Sequence, residues 1–142
     1  MRILGLDLSS VSSGFAIIED GKLIDFGKIL EDNPNNMVRL VHMTNRIKKI
    51  VDNYQFDKVI IEDVYYGNNF LTTKVLNRLG GMVYYAITNS KNMPTNAPEF
   101  VGATQARKAL GLLPKSTKVH IVRTVNQLFN KEFKLSENDI TY

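Results

Sequence analysis

The chain has no cysteine, which removes disulfides, thiolate metal sites and cysteine nucleophiles together. No apolar run approaches the ~20 residues of a membrane span. The opening, "MRILGLDLSS", is too short and acidic too early for a signal peptide. Internal repeats, low-complexity tracts and linkers are missing as well. These absences lead to one expectation: a single domain over residues 1–142, cytoplasmic and with no membrane partner.

What is present fits that expectation. A chain of 142 residues buries a proper core without a staple. Its 44% hydrophobic and 23% charged residues are those of an ordinary globular domain. The net charge of +4 and the pI near 9.3 tilt it modestly toward a polyanionic partner, although many basic proteins bind no nucleic acid.

Patterning predicts an alternation of strands and helices. "GLDLSS", "SGFAIIE" and "LIDFGKIL" read as three strands, the last two joined by Asp20-Gly21, a tight-hairpin signal. Residues 37–54 have helical period, with Val38, Leu40, Val41, Ile47, Ile50, Val51 and Tyr54 on one face and Arg39, Arg46, Lys48 and Lys49 off it. "KVIIED" reads as a strand from the middle of a sheet. "FLTTKVLNRLGGMVYYAITN" returns to helical spacing through Leu71, Val75, Leu79, Met82 and Ala86. Its Gly80-Gly81 pair costs about 1 kcal/mol per glycine against alanine, so close packing is expected there. "NMPTNAPEF" suggests an edge strand, because of its prolines. Two more helices follow, in "GATQARKALGL" and "STKVHIVRTVNQLFN". A last one starts at Ser136 and is incomplete, since the chain stops at Tyr142. The fold class is α/β: a mixed five-stranded sheet, three antiparallel hairpin strands then parallel ones, flanked by helices.

Two strands end in acids, Asp7 and Glu62. A carboxylate drawn out of water requires a donor, a base or a metal ion beside it. If the strands are neighbours the carboxylates converge, and a divalent cation relieves their repulsion. Hard oxygen ligands suit Mg²⁺ or Mn²⁺, and such ions serve phosphodiester hydrolysis. The same spacing also fits Asp7 capping a turn and Glu62 ending its strand in solvent.

The stretch "RILGLDLSSVSSGFAIIEDGKLIDFGKI" resembles the opening of the RuvC family of Holliday-junction resolvases, within the ribonuclease H-like fold. The likeness continues through "VIIEDVYYGNNFLTTKVLNRLGGMVYYA" and "PKSTKVHIVRTV", in the family's order. The resemblance implies a metal-dependent endonuclease acting on four-way DNA junctions, with two Mg²⁺ ions per site, or Mn²⁺ in their place, and a two-fold homodimer formed through the helix at 70–88. It implies that Asp7 and Glu62 are the first two catalytic and metal-binding acids and that Asp139 is a third. Tyr65 falls where the family places a base-stacking aromatic. Lys115 and Lys118 both match the lysine near the scissile phosphate. Ser9, Arg107, Lys108 and Arg123 are the further candidates for DNA contact.

Each of these residues has a plainer reading beside it. Tyr65 can pack under a loop, and Lys115, Lys118 and the basic stretch from Arg107 to Lys134 can be a solvated face. Two cations at a helix start oppose its dipole, which favours a phosphate partner. The family's fourth acid would fall at Tyr142; either it lies beyond residue 142 in a longer protein or it is absent. Asp63 is not counted as its replacement, since alternation along the strand turns it away from Glu62. The shortened acid set makes a catalytically impaired branched-DNA-binding module one alternative. A related nuclease for other branched DNA or for RNA–DNA hybrids is another. "GLDLSS" also resembles the first phosphate loop of actin-like and sugar-kinase ATPases, but those need two such domains, which 142 residues cannot hold.

Overall fold

The computed structural model describes residues 1–63 and 69–102. Within them five strands form one sheet in the order β3-β2-β1-β4-β5. β1 (Arg2–Asp7), β2 (Ser12–Glu19) and β3 (Lys22–Leu30) make an antiparallel meander, and β4 (Lys58–Glu62) and β5 (Glu99–Val101) extend it in parallel. Helix α1 (Asn36–Asn53) leads from β3 to β4, and α2 (Phe70–Thr88) from β4 to β5. This is the mixed five-stranded α/β sheet that the pattern predicts. The three helices expected after residue 102, including the incomplete one at Ser136, lie outside the described residues.

Local chemistry sets these boundaries. Asp20 (φ 51°) and Gly21 (φ 79°) both have positive φ, the backbone of a two-residue turn whose twist matches its strands. Asn35 caps α1 by accepting from the Val38 N–H at 3.1 Å. Asn69 caps α2 through the Thr72 N–H, so each helix start has one orphan donor satisfied. The first strand stops at Asp7, short of the "GLDLSS" expected. Ser9 diverts the chain there: its hydroxyl accepts from the N–H groups of Val11 and Ser12, at 3.4 Å each. The buried Ser13 hydroxyl donates to the Ser9 carbonyl at 2.8 Å and accepts from the Ser9 N–H at 2.9 Å.

One apolar cluster joins alternate strand residues Leu4, Leu6, Ile17, Ile29, Val59 and Ile61 to α1 and α2. Leu40, Met43, Ile47 and Val51 come from α1, and Leu79, Val83 and Ile87 from α2. Both helices therefore pack against the same face of the sheet. Two residues assigned to the core by periodicity are instead exposed: Val41 at 43% and Leu71 at 71%. Their places in the core are taken by Met43 and Thr44 on α1, and by Val83 and Ile87 on α2. Gly80 is close-packed as expected, since a Cβ there would stand 3.4 Å from the Phe100 ring, but Gly81 has open space.

Candidate active site

β1 and β4 are parallel neighbours, in a register that pairs Ile3 with Lys58 and Leu6 with Ile61. One step further along each strand stand Asp7 and Glu62, so the two acids end adjacent strands level with one another. Neighbouring strands lie about 4.8 Å apart. Alternation sets both acids apart from Leu6 and Ile61, which enter the core. Each is half-buried, and both line one cleft at the carboxyl edge of the sheet, with Leu8, Asp63, Leu76, Gly80 and Phe100. The Gly80 backbone admits the Phe100 ring, which also stacks on Tyr84 at 5.8 Å between centroids. Helix α2 thereby forms the cleft wall opposite the acids.

Asp63 reaches the same cleft. Alternation does turn it from Glu62, but β4 ends at Glu62 and the cleft lies over the strand ends, where residues from both faces reach it. Asp63 lines the cleft, held by its N–H donating to the Val101 carbonyl at 2.9 Å. Even so, among the described residues no group of three or more His, Cys, Asp or Glu is placed to hold a metal ion. Asp7 and Glu62 offer the hard oxygens that a divalent cation takes, and thus fit as part of such a ligand set.

Ser9 lies beside the cleft in an adjoining groove, with Ser10, Arg39, Thr72 and Val75. Arg39 is a residue that pattern reading places only on the polar side of α1. Asp139, Lys115, Lys118, Tyr65, Arg107, Lys108 and Arg123 lie outside the described residues.

A five-stranded sheet with two acids at the ends of its central parallel strands is the framework against which the wider likeness counts. Residues 3–141 match the family model for crossover junction endodeoxyribonuclease RuvC. The chain belongs to the RuvC family. Among curated relatives, the RuvC of Aliarcobacter butzleri is 30% identical, over 99% of this chain and 92% of its own length. That of Campylobacter jejuni is 29% identical, over 99% and 89%. Among solved structures, Thermus thermophilus RuvC in complex with a Holliday junction substrate aligns with a TM-score of 0.78 at 13% identity. It covers 99% of this chain and 90% of its own. A second T. thermophilus RuvC structure gives 0.76 at 17% identity. At such identities the structures speak for the fold, which is the ribonuclease H-like one. The RuvC family is one of Holliday junction resolvases, metal-dependent endonucleases, and no helix among the described residues is long and apolar enough to cross a membrane.

Proposed function

We propose that this chain resolves four-way DNA junctions by hydrolysing a backbone phosphodiester at the cleft between β1 and β4. One observation carries the reading: Asp7 and Glu62 end neighbouring parallel strands level with each other and line that cleft. Two carboxylates there leave a concentration of negative charge that favours a hard cation. Asp7, Glu62 and Asp139 would hold it, with Mg²⁺ the natural ion, Mn²⁺ a substitute, and two ions per site. When bound, such ions polarise the phosphate and lower the pKa of water.

The protein's own contribution is position. Asp7 and Glu62 stand on the two central strands of the sheet, so the ladder fixes their spacing before any substrate arrives. Lys115 or Lys118 offsets the negative charge that grows on the phosphate as it is attacked. Tyr65 stacks on a base near the junction centre. Ser9, Arg107, Lys108 and Arg123 hold flanking phosphates, which makes binding weaken steeply with salt. Two matched nicks need two sites, so the working form is a homodimer of single-domain chains in the cytoplasm. The exposed Phe70 and Tyr85 on α2 offer the apolar surface for it.

The test uses a labelled synthetic four-way junction and a linear duplex of the same sequence, each with Mg²⁺ and with EDTA. Paired nicks in opposite arms, only in the junction and only with Mg²⁺, are expected. Junction binding without nicking would favour the impaired DNA-binding module instead. Absence of both binding and nicking would overturn the resolvase reading.

A further inference from the structure

A second groove adjoins the acidic cleft, sharing Leu8 and Leu76 with it and lined further by Ser9, Ser10, Arg39, Leu71, Thr72 and Val75. Its chemistry is opposite to that of the cleft. Arg39 brings a guanidinium, and neither Ser10 nor Thr72 has a side-chain hydrogen bond to the rest of the described chain. Among the described residues Arg39 is held by neutral acceptors, the Asn33 carbonyl at 2.7 Å and the Asn36 side-chain oxygen at 2.5 Å. Its Nε–H is buried and has no acceptor among the described residues. A charged donor in that state is an anomaly, since buried donors are nearly always paired and a guanidinium pairs best with a carboxylate or phosphate.

We propose that this groove is a phosphate subsite, in which Arg39, with the Ser10 and Thr72 hydroxyls, grips the DNA backbone phosphate next to the one at the acids. The inference rests on the resolvase reading for its ligand and adds to it a residue and a direction. The strand being cut runs from the Asp7–Glu62 cleft across Leu8 and Leu76 toward the start of α1. Meeting the phosphate, the terminal nitrogens of the Arg39 fork exchange their neutral acceptors for a charged one. Contacts of this kind fix register on the backbone and carry no base preference.

The experiment measures equilibrium binding of the labelled four-way junction in EDTA over a series of salt concentrations. The proteins are the wild type, Arg39→Gln, the pair Ser10→Ala with Thr72→Val, and Lys49→Gln. Lys49 is exposed on α1, ten residues or roughly 15 Å along the helix from Arg39, so Lys49→Gln controls for net charge. Arg39→Gln should bind about tenfold more weakly at fixed salt and lower the slope of log K against log salt by about 0.9. The hydroxyl pair should weaken binding several-fold with the slope kept, and Lys49→Gln should change little. Arg39→Gln indistinguishable from Lys49→Gln, with the wild type still preferring the junction, would overturn the subsite and leave the resolvase reading intact. A slope change in Arg39→Gln without any preference for junction over duplex would keep the subsite and remove the junction. An Arg39→Gln protein with a lowered melting temperature is judged by the hydroxyl pair, whose wild-type binding would then count against the proposal.

Discussion

Replacing Glu62 by glutamine should make the metal-free protein more stable while removing its response to Mg²⁺. Glu62 stands level with Asp7 on the adjacent strand, and both acids are half-buried. Two unit charges about 5 Å apart, the spacing of neighbouring strands, repel by about 3 kcal/mol at an effective dielectric of 20 and by about 0.8 kcal/mol in bulk water. Half-exposed carboxylates fall between these limits, so about 1 kcal/mol is the expected relief when one becomes an amide of the same shape. For a domain of this size that is a rise of about 4 °C in melting temperature. Saturating Mg²⁺ should stabilise the wild type, by about 2.7 kcal/mol at a hundredfold excess over Kd, and leave Glu62→Gln nearly unmoved. Calorimetry or thermal melts in EDTA and in Mg²⁺ measure both effects. A Glu62→Gln protein that melts below the wild type in EDTA, or that keeps the full Mg²⁺ shift, would refute the idea that a cation relieves repulsion between these acids.

Leu6→Ala, which empties a fully buried site on β1 next to Asp7, should cost about 3 kcal/mol by urea denaturation. Gly81→Ala should stabilise α2 by about 0.5–1 kcal/mol, since a Cβ there meets nothing within 4 Å; the gain at Gly80 should be smaller because of the Phe100 ring. Asp52 lies below its ordinary pKa of 3.8 because it accepts a hydrogen bond from the Ser90 hydroxyl, aided by Lys48. A depressed folded pKa means stability that is present above 3.8 and lost as pH falls through the lower, folded value. Ser90→Ala should therefore lose stability at neutral pH and show a shallower fall in melting temperature on the acid side of pH 4 than the wild type.

Much of the frame is legible because single residues leave few options. Asp20-Gly21 permits one tight hairpin, and apolar strands that stop at an acid announce where the sheet edge lies. The order of the strands requires more than pattern, since only the β1–β4 pairing brings Asp7 level with Glu62. Periodicity fails at the margin of each helical face. At about 100° per residue, Leu71 stands about 80° from Leu79 and 120° from Val83, and Val41 stands about 100° from Leu40. Hydrophobic character alone therefore misassigns residues that the helix rotation leaves in solvent. Asp63 adds a different lesson: alternation turns it from Glu62 along the strand but says nothing about a cleft beyond the strand's end. Arg39 gives no local signal at all, because its groove is assembled from the Ser9 turn and the first turns of two helices far apart in sequence.

The most direct test of the central claim compares single-turnover nicking and EDTA-phase binding of the same four-way junction by the wild type, Asp7→Asn and Glu62→Gln. If the two strand-end acids form the catalytic centre, both variants should bind the junction at least as well as the wild type. Both should nick it more slowly by two or more orders of magnitude in Mg²⁺, about 2.7 kcal/mol or more in the barrier. Nicking at the wild-type rate by either variant would contradict the account and place the chemistry elsewhere in the molecule.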